Sequence, residues 1–61
     1  MKAKHIRSLR KRLHLSQSGL ADHLGVTQAA VSNWENGWSR PSKPALILMR
    51  QLANGERWSV N

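Results

Sequence analysis

Apolar residues gather in four groups along the chain, and in each group the spacing is helical. Ile6, Leu9 and Leu13 recur at i+3 and i+4 intervals, opposite Lys4, Arg7, Lys11 and Arg12, which predicts a helix over about 4–13. His14 follows where a helix end often requires positive φ, a conformation histidine tolerates better than most non-glycine residues. Ser16 reads as the N-cap of a second helix over 17–24, with Leu20, Ala21 and Leu24 as its inner stripe and Gly25 just past its end. Gly19 sits inside that helix at a cost of about 1 kcal/mol relative to alanine. Thr27 caps a third helix over 28–36, closed by Gly37. The segment "WSRPSKP" carries two prolines and two serines and reads as a loop. Pro44 then falls in the first turn of a fourth helix, where its missing N–H is harmless. Ala45, Leu46, Leu48, Met49 and Leu52 form the apolar face of that helix, and Asn54-Gly55 is expected to stop it.

No period-two alternation, repeat or low-complexity segment interrupts this pattern. The expectation is therefore all-α: one domain over 1–61, a small bundle of four short helices, or five if the unassigned tail 56–61 forms another. The second and third helices meet through Gly25-Val26-Thr27, a short glycine-bearing turn, so residues 17–36 fit a helix-turn-helix. A small residue, Ala21, lies where the third helix would cross the second. Val26, Val31 and Trp34 are placed to enter a core with Leu20 and Leu24.

Length and charge narrow the function. A chain of 61 residues buries only roughly 60% of its unfolded surface, so short-linked helices are an economical design. Ten Lys and Arg against three Asp and Glu leave a net charge of +7, which points to a polyanionic partner, nucleic acid or an anionic membrane. A membrane role conflicts with helix one, because its apolar residues are needed by the core. No apolar run approaches the roughly 20 residues of a membrane span. The start lacks the apolar region of a secretory signal, so the expected compartment is the cytoplasm. The absence of cysteine excludes disulfides and thiolate zinc sites. His5, His14 and His23 are not at a metal-ligand spacing. With few acids, no Tyr and no phosphate-cradling glycine loop, no catalytic constellation forms, and neither a metal, a cofactor nor a small-molecule ligand is expected.

The stretch "LSQSGLADHLGVTQAAVSNWENG" resembles the helix-turn-helix of the Cro and lambdoid phage repressor family, which also includes small antitoxins. The likeness runs from about Ile6 to Leu52. It is carried by "SQ..LA..LGV", by "Q..VS.WE.G" and by the proline-bearing loop before helix four. His14 stands where the family usually has glycine, and Gly19 where it often has glutamate. The tail beyond Gly55 has no clear counterpart.

The resemblance implies a lambda-repressor-like DNA-binding domain whose third helix enters the major groove. Gln28, Ala29, Ser32 and Asn33 then face base edges. Glutamine or asparagine pairs bidentately with adenine, and alanine lies against a thymine methyl. Gln17, at the start of helix two, corresponds to a position that touches a DNA phosphate, where a helix N-terminus already favours anions. Asn36, Arg40 and Lys43 flank the far end of the third helix as phosphate contacts, which fix register without reading sequence. Arg10 and Glu35 are implied to pair and to tie helix one to helix three. Trp34 is expected in the core. Trp38 is expected either to cover helix ends or to lie exposed near DNA or a partner, and Trp58 to serve a dimer contact.

The leading reading is a sequence-specific double-stranded DNA-binding transcriptional regulator, cytoplasmic and nucleoid-associated. It would bind a short palindrome as a homodimer, since family members dock two recognition helices about one DNA turn apart. A phage-type repressor and an antitoxin with a toxin protein as partner fit equally. The alternatives are a non-specific basic nucleic-acid binder and a protein-interaction module that has lost DNA binding.

Overall fold

The apolar stripes fold against one another in a computed structural model that describes residues 2–58. Four helices form: α1 (Ala3–Arg12), α2 (Gln17–Leu24), α3 (Gln28–Glu35) and α4 (Lys43–Trp58). The expected stripes are the ones buried. Ile6 and Leu9 of α1 meet Leu20, Ala21 and Leu24 of α2, Val31 and Trp34 of α3, and Ala45 and Met49 of α4. Leu13, Val26, Leu46 and Leu52 pack at the edge of this core, half-buried. Helix α2 packs chiefly on α3, α3 also lies against α1, and α2 touches α4. Ala21 is 2% exposed between the helices of the motif.

Five helix boundaries, the starts of α2 and α3 and the ends of α1, α2 and α3, have a local cause. The Ser16 hydroxyl accepts the Gly19 N–H at 2.9 Å, and the Thr27 hydroxyl accepts the Ala30 N–H at 3.2 Å. These caps satisfy N–H groups that have no intrahelical partner. The first three helices end alike, on a residue in the left-handed region: His14 at φ 57°, Gly25 at φ 71° and Gly37 at φ 76°. In each, the following N–H reaches back five residues, Leu15 to the Arg10 carbonyl, Val26 to that of Ala21 and Trp38 to that of Asn33. This is the Schellman closure, and it accounts for both the glycines and the histidine.

His14 is the exception that makes a prediction. The left-handed region costs an ordinary L-residue roughly 1–2 kcal/mol, and glycine gives back part of that gain through its freer unfolded chain. His14→Gly is therefore expected to stabilise the domain by roughly 0.5–1 kcal/mol, read as a higher urea midpoint. A lower midpoint would mean that the imidazole contributes more than its backbone costs.

Helix α4 departs from expectation twice. It runs on to Trp58 instead of stopping at Asn54-Gly55. The Asn54 amide donates back to the Arg50 carbonyl at 3.1 Å, within the helix, instead of capping it. A following glycine weakens a helix by about 1 kcal/mol without ending it. Leu48 is 38% exposed and does not join the core, because it lies at the margin of the stripe that Ala45, Met49 and Leu52 turn inward. Residues 59–61 and the side chains of residues 55–58 lie outside the described residues, as does the dimer contact expected at Trp58. None of the described helices is long and apolar enough to cross a membrane.

Candidate nucleic-acid interface

Helix α3 divides into two faces by residue size. Val31, Trp34 and Glu35 are buried. On the other side Gln28, Ala29 and Asn36 are exposed, and Ser32 and Asn33 are half-buried. All four residues expected to read bases thus share one side of the helix. No large side chain rises between them, so the helix axis can come close to a groove floor. The face is also partly organised before any partner arrives. The Ser18 hydroxyl donates to Oε1 of Gln28 at 3.1 Å. The Asn36 amide donates to the Ser32 carbonyl at 3.0 Å and to its hydroxyl at 3.4 Å.

The buried side carries a charge as well as apolar groups. Glu35 has its side chain 1% exposed and receives three partners. Arg10 donates through Nε to Oε2 at 2.7 Å and through Nη2 to Oε1 at 3.0 Å, a fork on the carboxylate. Its remaining nitrogen, Nη1, donates to the Leu15 carbonyl at 3.1 Å. Arg7 and Gln17 each reach Oε1 at 3.4 Å. Burial pushes the Glu35 carboxyl up, but hydrogen bonds from Arg10, Gln17 and Arg7 and the Arg10 charge outweigh it and hold it below the usual carboxylate range. The hydrogen bond to Glu35 raises Arg10 against a smaller opposing effect of burial. The implied pair is therefore present, and it joins α1, the α1–α2 turn and the end of α3 through one guanidinium.

The phosphate-contact candidates differ in exposure and in the bonds they already make. Gln17 is the first residue of α2, as expected, but it is half-buried and its amide is turned toward Glu35. Its backbone N–H, like that of Ser18, belongs to the first turn and has no intrahelical acceptor. Arg40 and Lys43 are exposed, and neither is paired with a carboxylate among the described residues. Trp38 is 77% exposed on the loop between α3 and α4, so it covers no helix end. No acid occupies the first turn of any of the four helices, although a helix dipole favours carboxylates there. Helix N-termini left bare of acids suit an anionic partner.

Three residues enter that the sequence reading did not single out. Arg7 joins Glu35; its signal was its i−3 relation to Arg10, on the same face of α1. Lys2 lines an open depression with Arg40, Pro41 and Leu46, and no local pattern marked it. Ser18 supports Gln28, because a tight turn sets the first turns of α2 and α3 side by side.

A helix-turn-helix family model matches residues 6–55, most of the chain. No curated protein and no solved structure matches it.

Proposed function

We propose that this chain, which belongs to the Cro and lambdoid repressor-like helix-turn-helix family of DNA-binding proteins, is a transcriptional regulator. It recognises a short palindromic operator as a homodimer, with α3 in the major groove of each half-site. The observation that carries the reading is the outer face of α3, small and polar along its length, followed in the chain by exposed cations at Arg40 and Lys43 that pair with no carboxylate among the described residues.

The residues divide by task. Gln28 and Asn33 offer amides to base edges, Ser32 a hydroxyl, and Ala29 a methyl to thymine. Gln17 and the open first turn of α2 hold one phosphate, and Asn36, Arg40 and Lys43 hold others beyond the end of α3. Arg10 and Glu35 touch no base; they fix the angle at which α3 leaves the domain. Two such domains would read half-sites about 10 bp apart, one helical turn. Acting on duplex DNA, the protein would work in the cytoplasm on the nucleoid. A toxin-like gene beside its own would favour an antitoxin over a phage-type repressor.

Salt dependence tests the division of labour. Arg40→Ala is expected to weaken all duplexes alike and to reduce the slope of log K against log salt by about 0.9, one phosphate contact. An unchanged slope would remove Arg40 from the backbone contacts.

A further inference from the structure

Ser18 is the only helix-two side chain hydrogen-bonded to the outer face of α3 among the described residues. Its hydroxyl has no capping duty, because the Ser16 hydroxyl already accepts the Gly19 N–H. Ser18 and Gln28 are both exposed and stand in the first turns of adjacent helices, so their contact contributes nothing to the core. What it does is orient an amide. A glutamine side chain has three rotatable bonds, and a free one must be ordered when it meets a base. Ordering it beforehand reduces that cost, which is how preorganisation raises affinity and discrimination together.

The geometry points to Ser18 as a specificity-determining positioning residue, which holds the Gln28 amide in the orientation that reads a base. This rests on the proposal that Gln28 contacts base edges. With Ser18 donating to it, Oε1 keeps its second lone pair and Nε2 keeps both hydrogens. The held amide therefore still presents an acceptor beside a donor, the pattern that complements N6 and N7 of adenine. Ser18 also biases the rotamer: an amide rotated away from Ser18 gives up this contact and must be reordered from solvent. Ser18 touches no base in this account. It narrows what Gln28 can accept.

The test uses the full chain and the duplex recovered by selection from a random pool, with every position of that duplex substituted in turn. Ser18→Ala is expected to lower discrimination about two- to tenfold, the equivalent of one ordinary hydrogen bond, at the base pair where Gln28→Ala also lowers it. Discrimination elsewhere and the salt slope stay as in the parent, and Ser18→Thr, which keeps the hydroxyl, restores the preference. In a Gln28→Ala background, Ser18→Ala has no further effect. Thermal melts of all variants control for folding, and alanine is a better helix former than serine at this position. If Gln28→Ala relaxes the preference and Ser18→Ala does not, the positioning role is wrong and the role of Gln28 stands. If Ser18→Ala instead lowers the salt slope by about 0.9, Ser18 is a phosphate contact and the proposal is overturned. If Gln28→Ala changes no preference, base reading by Gln28 fails, and the role of Ser18 fails with it.

Discussion

Glu35→Ala is expected to leave the domain largely unfolded at physiological temperature. The substitution removes the acceptor of two Arg10 nitrogens and leaves that side chain, 16% exposed, with only the Leu15 carbonyl. Breaking a buried pair by removing one partner costs about 3–5 kcal/mol, because the surviving charge is left uncompensated. Native stability for a chain this small lies near the low end of about 5–15 kcal/mol, so such a loss is nearly all of it. Replacing both partners by apolar residues, Arg10→Met with Glu35→Leu, is expected to recover most of the loss, since no stranded charge remains. Circular dichroism during urea titration reads both variants; a Glu35→Ala midpoint near that of the parent would show the pair to be ornamental. The pH dependence has a defined sign. The Glu35 carboxyl is held below its usual range, so its contribution is complete above the ordinary carboxylate pKa and is lost as pH falls through the depressed folded value. Acid should therefore destabilise the parent, and Glu35→Gln should flatten that limb of the curve.

Ala29→Glu is expected to do the opposite, leaving the fold intact while abolishing DNA binding. Ala29 is exposed in the first turn of α3, which holds no acid. A carboxylate there interacts favourably with the helix dipole, worth about 0.3–1 kcal/mol, so the melt should rise slightly. On the proposed interface the same carboxylate faces bases and phosphates. Like charges brought together at an interface cost several kcal/mol, so duplex affinity should fall at least about 100-fold. One acid, Glu35, holds the reading helix in place, and another on its far side would block what the helix reads. Affinity within about threefold of the parent, a change of about 0.7 kcal/mol, would move the interface away from this face.

How much of this was legible in the sequence depends on the range of each interaction. Helix starts and ends were legible because caps are local: Ser16, Thr27, Gly25, Gly37 and even His14 act within a turn of their own position. The core stripes of the first three helices were legible for the same reason, since a 3.6-residue period places them without reference to a partner. The fourth helix was read less well. Its margin at Leu48 depends on how wide an arc the other three helices cover, and Asn54 bonds within the helix where its residue type suggested a stop. The Arg10–Glu35 pair came from family resemblance and is present, but its companions Arg7 and Gln17 required three-dimensional placement. So did the Ser18–Gln28 contact, which joins two first turns across the motif. Gln17 shows the limit most plainly: its place at the start of α2 was legible, and the contact of its amide with Glu35 was not. Trp38 closes α3 through its backbone N–H, while its side chain is 77% exposed near Arg40 in the chain.

Sequence-specific recognition of duplex DNA by this domain is measured by competition binding at moderate salt. Labelled duplex selected from a random pool is challenged with itself and with random duplex of equal length. A preference of roughly 10³-fold or more for the selected sequence is expected, with half-sites repeated about 10 bp apart. Equal affinity for the two duplexes would contradict it, leaving a basic protein that binds nucleic acid by charge alone.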